Sequence, residues 1–465
     1  MIDAALRGVD HAPDDLAAKY RLAMVLQTYP CALPGREGLL HRLVCDPLVS
    51  PDAIAASAWL TLGAAGHVSI DCGTAALAAW IERDDFARDL LEQAPVTVLA
   101  AELALTAMRR WLLSSGAWER FPLTVAALRR QRQLNGGAWP VAAEEAGRLA
   151  NGVPEAIGST YPMPVNEAIC GGADAVAAQY RQWPYPVWSR ITARPSAALG
   201  QLAKSVDPDG APLAREPTRL LIAGCGTGHE AAIWANRFPA AEITAIDISS
   251  VSLEFARTRC ARLGYDNIRF ELLDLHQVSK LNTRFDVIVC SGVLHHLARP
   301  EEGWAALVGA LADDGIMQIM VYSRISRLGL QGLRGKLADL VEQPIDDNVL
   351  RAARSRLIAQ APQRMTNGDF FTLGGIKDLL FNAHEDLFDI PRIERGIAGL
   401  GLRLLSFNLP LPISPKDHRK RFPHDPLRRD FAVWRTLERE NPLLFQHMYG
   451  FWCGRQSACA ADGQL

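Results

Sequence analysis

The sequence contains no uninterrupted apolar run of about 20 residues, the length a helix needs to cross a bilayer, so no membrane-spanning helix is expected. It also has no CxxC pair and no metal-type pairing among its nine cysteines, at 31, 45, 72, 170, 225, 260, 290, 453 and 459. An odd, dispersed set fits reduced thiols rather than a disulfide framework, and no metal site is expected. Charge of one sign is missing too: 49 Lys+Arg stand against 51 Asp+Glu, which supplies no global basic field for nucleic acid. The opening MIDAALRGVDHAPDDLAAKY carries early acids and no long apolar core, so no secretory signal is expected and the cytoplasm is the expected compartment. What is present is a 49% hydrophobic share over 465 residues, enough for two or three packed domains.

Residues 1–155 read as a helical domain. Ala and Leu dominate DDFARDLLEQAPVTVLAAELALTAMRRWLL (84–113), with apolar residues at mixed three and four spacing, and LAAKYRLAMVLQTY and PDAIAASAWLTLGAA are similar. A 34-residue repeat is not evident. Residues 156–215 read as a strap and linker: YPMP (161–164) and YRQWPYPVW (180–188) combine proline, which stiffens the chain, with aromatics that must pack on something. Such a strap is either a surface linker or a cover over a ligand. From Thr218 the pattern turns to alternating strands and helices. Strands are expected at 219–224, 242–247, 267–272, 285–290, 315–322, 401–408 and 446–453, with helices at about 228–238, 250–263 and 301–312.

The sharpest local signal is Gly224-Cys225-Gly226-Thr227-Gly228, directly after a strand and opening a helix. Glycines let the backbone turn tightly, and the helix start presents N–H groups to a polar ligand. A dinucleotide loop places its third glycine one residue later, where His229 stands, which argues against a dehydrogenase. Asp247 ends the second strand, where a carboxylate can accept both hydroxyls of an adenosine ribose. Asp274 ends the third and can receive an adenine amino group, with Leu275 beside it for backbone and apolar contact. FDVIVCSGVLHHL (285–297) ends its strand at Cys290–Ser291, beside the crevice where ligands bind in open α/β sheets.

LLIAGCGTG, AIDIS, LLDL, FDVIVCSGVLHHL and LADDGIMQIMVYS, in this order and spacing, resemble the motifs of class I S-adenosylmethionine-dependent methyltransferases. The resemblance covers about 216–323. It implies a doubly wound, seven-stranded, Rossmann-like α/β sheet with its last strand antiparallel, an α-helical N-terminal domain and a helical lid insertion. The methyltransferase domain would run from 216 to 465, with insertions at 323–398 and 409–440. S-adenosylmethionine is the implied cofactor. Gly224, Cys225, Gly226 and Gly228 would lie beside its methionine part, Asp247 and Ile248 at the ribose, Asp274 and Leu275 at adenine, with Cys290 and Ser291 at the strand-four tip. The layout of helical region, QYxxxPYPxW strap, core and FFTLGGIKDLLFNAHEDLFDIPRI resembles bacterial methyltransferases with tetratricopeptide-like N-terminal regions.

Methyl transfer from a sulfonium is an in-line displacement, so the protein mainly positions the acceptor; a base is needed only if the acceptor must lose a proton. His295 and His296 are the base candidates, and Tyr322 ends the fifth strand where the crevice should open. Acceptor-binding candidates are Tyr180, Tyr185, Arg324, His384 and Glu385. Phe381 and Glu385 would share one helix face. Arg324, Arg327, Arg351, Arg354, Arg356 and Arg364 are a possible anion-holding cluster. The expected function is methyl transfer to an O or N acceptor, a small molecule such as a carboxylic acid or secondary metabolite. Alternatives are a protein methyltransferase whose N-terminal helices bind a polypeptide, and a non-catalytic cofactor-binding scaffold, against which the intact Asp247 and Asp274 argue. A peptide acceptor, a protein partner or a homodimer through the N-terminal helices stay open; neither nucleic acid nor membrane is expected. CSGVLHH stands where amino-group methylases of nucleobases carry an Asn-Pro-Pro-Tyr-like sequence.

Overall fold

The computed structural model describes residues 1–69, 71–139, 145, 149, 173–210, 212–213, 217–342, 344–410, 413–445 and 448–456. YPMP (161–164) and the first two positions of the 446–453 strand candidate lie outside the described residues. Contacts divide the chain into two units. One takes the described parts of Met1–Val165, Gln182–Pro195 and Leu333–Phe381; the other takes those of Asn166–Arg181, Ser196–Gly332 and Asn382–Leu465. The stretch 323–398 is thereby shared between the units.

The first unit is helical. Asp15 caps the helix Leu16–Thr28 by accepting from the Ala17 and Ala18 amides, and Asp84 caps Asp85–Gln93 through the Ala87 amide. Pro51 and Pro122 each open a helix, where the missing N–H costs nothing. The apolar stretch 84–113 breaks into two helices, Asp85–Gln93 and Leu99–Ser114, because Pro95 bars continuation. Leu22, Leu40, Ile54, Trp59, Leu90, Leu105 and Leu128 fill the core. Helix Asp347–Gln360 belongs to the same unit: Arg354 reaches Glu102 of Leu99–Ser114 in a fully buried, two-pronged ion pair.

The second unit is built on seven strands, β1 (Arg219–Ala223), β2 (Glu242–Asp247), β3 (Ile268–Leu272), β4 (Phe285–Ser291), β5 (Leu311–Tyr322), β6 (Leu402–Phe407) and β7 (Met448–Arg455). Their order is β3-β2-β1-β4-β5-β7-β6. β1 to β5 pair in parallel, whereas β7 is antiparallel to both β5 and β6. All seven overlap the expected strands, but β5 starts at Leu311, four residues earlier than expected and inside the helix expected at 301–312, which ends at Ala310. Buried parallel strands lack a polar face, and residues 220–223 of β1 and 287–290 of β4 read as continuous apolar runs for this reason. The two-residue period still sorts them. Leu221, Ala223, Ile288 and Cys290 face helices Pro300–Ala310, Ile390–Gly399 and Phe431–Glu440. Leu220, Ile222, Val287 and Val289 face helices Leu199–Val206, His229–Arg237 and Ser250–Arg262. The sheet is doubly wound, and its strand order reverses between β1 and β4, which puts the ligand crevice at their carboxyl ends.

Among the described residues, no helix is long and apolar enough to cross a membrane.

Candidate functional site

The glycine loop after β1 is held by the tip of β2. The Gly224 and Cys225 amides donate to the Ile246 carbonyl at 2.8 and 2.9 Å. Gly224, Gly226 and Gly228 all sit at positive φ, of 73°, 50° and 84°. A Cβ on Gly224 would stand 2.3 Å from a Val293 methyl, and one on Gly228 would stand 2.7 Å from the Ala256 Cβ. The loop is thus squeezed between the turn after β4 and helix Ser250–Arg262, and only bare backbone fits there.

Asp247 ties the loop to β2 with its side chain. Oδ2 accepts from the Gly226 amide at 2.7 Å and Oδ1 from the Ser249 amide at 2.8 Å. Each oxygen keeps a second lone pair for a ligand hydroxyl. Burial pushes this carboxyl above its usual range, opposed by the backbone amides of Ser249, Gly226 and Ile248. Asp274 stands close by, because the Asp247 carbonyl accepts from Leu273 at 3.0 Å. Its Oδ1 takes the backbone amide and the ring Nδ1 of His276, and its side chain is 45% exposed. The three strand ends therefore converge, and a glycine cradle beside a carboxylate with two spare lone pairs fits an adenosyl ligand.

Of the other expected cofactor residues, Cys225, Cys290 and Leu275 can contribute only backbone. The Cys225 and Cys290 side chains are buried in the two core layers, where burial raises the Cys290 thiol to about 12. Leu275 is likewise core. Ile248 is half-buried, and Ser291 donates to the Met320 sulfur at 3.3 Å. Burial lowers His229, at the first position of the helix after the loop, to about 4. Its folded-state value lies below the unfolded one of about 6.5, so the unfolded chain binds the extra proton and stability falls as pH drops through 6.5 toward 4. His229→Asn should flatten the acid loss in this window by on the order of 3 kcal/mol, at 1.36 kcal/mol per unit, read as the difference between wild-type and variant urea curves at pH 7 and pH 4.5.

The two adjacent histidines hold opposite tautomers. His295 Nδ1 accepts from the Tyr322 amide at 3.1 Å, so its proton sits on Nε2, which is buried with no partner among the described residues. Burial, then His296 and Arg327, keep His295 far below its usual range, hence neutral. It has no lone pair left to take a proton: it is a donor, and the expectation that it serves as a base does not match its geometry. His296 Nδ1 donates to the His384 carbonyl at 2.8 Å, which leaves the Nε2 side with the lone pair in the neutral ring.

Tyr322 lies among these groups. His295 stacks on its ring at 3.7 Å, and the Arg327 guanidinium lies 3.5 Å from its centroid. Arg327 pairs with Glu385 at 2.6 Å, both side chains under a tenth exposed. The segment carrying Glu385 is not helical: the helix Leu373–Leu380 ends before Phe381, and Phe381 and Glu385 do not share a helix face. Its backbone is spent elsewhere, with Asp386 donating to His295 O and Phe388 to Tyr322 O. Tyr180 reaches the same unit from helix Ala173–Gln182. Its carbonyl accepts from the Ser249 hydroxyl at 3.2 Å, and its ring meets His296 edge-on.

Not all acceptor candidates come together. Tyr185 belongs to the helical unit, where its hydroxyl donates to Asp369 at 2.9 Å. His384 is exposed and contributes its carbonyl, and exposed Arg324 holds Leu387 O at 3.0 Å. The arginine cluster disperses: Arg351, Arg354 and Arg356 are in the helical unit, paired with Asp347, Glu102 and Asp339. Arg364 lies in that unit as well. Ser326, buried beside Arg327 in sequence, was not singled out from the sequence because a serine in an Arg-rich helix gives no signal.

A family model described as a methyltransferase domain matches residues 221–317. An uncharacterized protein of Synechococcus sp. is 37% identical over 201 residues, covering 41% of this chain and 48% of that protein. The malonyl-[acyl-carrier protein] O-methyltransferase of Acetivibrio thermocellus is 29% identical over 107 residues, 23% of this chain and 36% of the enzyme. The trans-aconitate 2-methyltransferase of Variovorax paradoxus is 31% identical over 106 residues, 23% and 39%. The chain thus spans about half or less of the length of these relatives. PKMT2 from Rickettsia typhi, solved with AdoHcy, aligns with TM-score 0.40 and 14% identity over 55% of this chain and 52% of that one; at that score the fold assignment rests on the strand order alone. Strand order, motif set and family match together show that the α/β unit carries a methyltransferase domain, matched over residues 221–317.

Proposed function

We propose that the protein transfers a methyl group to a carboxylate oxygen of a small molecule, in the cytoplasm. The observation that carries this reading is that buried donors around Tyr322, His295 Nε2 and Arg327 Nε, have no partner among the described residues, nor has the buried Ser326 hydroxyl next to Arg327 in sequence. Buried donors left unsatisfied cost about 1–3 kcal/mol each. A carboxylate, which only accepts, supplies what they lack. The malonyl-[acyl-carrier protein] O-methyltransferases and the trans-aconitate 2-methyltransferase among the partial matches accord with it.

S-adenosylmethionine, when bound, supplies an electrophilic methyl on a sulfonium. Asp247 and Asp274 would hold its ribose and adenine, and the glycine loop would pass beside its methionine part. His295 and Arg327 would orient the acceptor. They would hold one carboxylate oxygen in line with the methyl group that the bound cofactor would supply. No proton moves, so a neutral donor such as His295 suits the task better than a base. Exclusion of water around buried Tyr322 partners keeps these hydrogen bonds strong.

The test is a methyl-transfer assay with labelled cofactor against small-molecule and protein fractions of cell extract. Label is expected in small molecules as base-labile methyl ester. His296→Gln should then leave the rate within about threefold, because carboxylate attack needs no general base, whose loss costs about 100-fold or more. Base-stable label on protein, or a 100-fold loss in His296→Gln, would instead favour an acceptor that must shed a proton.

A further inference from the structure

The helical unit carries a second cluster of chemistry-bearing side chains that methyl transfer does not use. His41 and Cys45 are four apart on helix Glu37–Cys45, so they share one face. That face is opposite to the one buried by Leu40, Leu43 and Val44. Asp89 arrives from helix Asp85–Gln93. Its Oδ2 lies 2.7 Å from His41 Nε2 and 3.3 Å from Cys45 Sγ. One oxygen therefore serves two groups, and the three ligand atoms all lie within 4.8 Å of one another.

We propose that His41, Cys45 and Asp89 form a three-ligand site for a borderline-soft divalent metal ion of the Zn2+ type. Bond lengths of about 2.0–2.3 Å to nitrogen, oxygen and sulfur put tetrahedral neighbours roughly 3.3–3.8 Å apart. The two edges at Asp89, now 2.7 and 3.3 Å, would lengthen by about half an ångström to reach that, with all three atoms already within 4.8 Å of one another. The donor set decides the metal class: thiolate and imidazole suit Zn2+, whereas Mg2+ and Ca2+ want oxygen only. The charges balance, since one thiolate and one carboxylate neutralise a dication with His41 neutral. Binding releases the Cys45 thiol proton to solvent, and neutral His41 keeps its one ring hydrogen on Nδ1 so that Nε2, now beside Asp89, offers its lone pair to the metal. The fourth position faces water, because Cys45 is exposed.

The surroundings are arranged for this. The His41 ring stacks on Phe86 at 5.2 Å, which fixes its orientation. Arg190 donates to Gln93 Oε1 at 2.9 Å, and this turns the Gln93 amide nitrogen toward Cys45 Sγ, 3.9 Å away. An N–H aimed at a sulfur is an outer-shell partner that supports a thiolate. Arg190 is itself held by the Val44 and Val49 carbonyls. The sequence offered no such pairing because the third ligand comes from another helix, 44 residues beyond Cys45.

Titrating the full chain with Co2+ tests this. One equivalent should give the near-ultraviolet thiolate-to-cobalt absorption band, and Zn2+ should displace it against a chromophoric chelator. Cys45→Ser should abolish the band and Asp89→Asn should prevent saturation. Gln93→Ala should weaken binding by roughly 10–100-fold, the effect of losing an outer-shell partner. Cys72→Ser, on a half-buried thiol elsewhere in the helical unit, should change nothing. All these positions are at least partly exposed, and circular dichroism confirms that each variant is folded. Absence of the band in wild type, or its persistence in Cys45→Ser, overturns the proposal. The methyltransferase reading stands or falls separately.

Discussion

Asp247→Ala is expected to weaken S-adenosylmethionine binding by at least about 100-fold, measured by calorimetry on the full chain. Two hydroxyl groups hydrogen-bonded to one carboxylate are worth about 1.5–3 kcal/mol each, and 100-fold is about 2.7 kcal/mol. The variant loses more than the ligand contacts. Asp247 also fixes the Gly226 amide and the Ser249 amide, so the glycine loop is freed from β2. Asp247→Asn separates the two effects poorly, since its amide can accept one backbone N–H but would face the other with a second donor. Asp274→Ala serves as the comparison. Its carboxylate is nearly half exposed and, among the described residues, holds His276 alone, so a loss of about tenfold is expected. Affinity unchanged in Asp247→Ala would detach the cofactor from the β2 tip.

The sheet was legible because each of its parts announces itself locally. β2 is bounded as the sequence placed it, at Glu242–Asp247, and the glycine loop and Asp247 lie at adjacent strand ends because strand-to-helix turns fix where they must fall. Roles that depend on hydrogen direction were not legible. His295 and His296 are identical neighbours in sequence, and only the Tyr322 amide and the His384 carbonyl make one a donor and the other an acceptor. Nor was the fate of 381–389. Its composition suits a helix, but Asn382 accepts from the His384 amide at 3.3 Å, and Asp386 and Phe388 give their amides to His295 and Tyr322, which no local rule foresees. The arginines of 324–364 looked like one anion site. Arg351 takes Asp347 one turn away, but Arg327, Arg354 and Arg356 are claimed separately by the remote acids Glu385, Glu102 and Asp339, which spacing along the chain does not reveal.

Glu102→Ala should open the helical unit by about 3–5 kcal/mol, the cost of leaving a buried charge without its partner. Arg354 is 1% exposed and Glu102 2%, with Nη1 to Oε1 at 2.6 Å and a second contact between Nη2 and Oε2. The Arg354 Nε also donates to the Phe370 carbonyl at 2.6 Å, so the guanidinium cannot swing out to water without breaking a third bond. Because two units need not unfold together, a single melting curve would blur the result. Hydrogen exchange of the amides in 99–114 and 347–360 reads the opening where it occurs. The double variant Glu102→Leu/Arg354→Met should recover most of the loss, as apolar replacement of a buried pair is often neutral or better. Protection that stays wild-type in Glu102→Ala would mean that solvent reaches the pair. The same bond bears on what can fold alone. A fragment ending at residue 155 keeps Glu102 in the core of Leu99–Ser114 but discards Arg354, and should exchange in helix 99–114 as fast as the alanine variant or faster. The N-terminal helices are then half of a unit whose other half is encoded nearly 200 residues later, after five strands of the sheet.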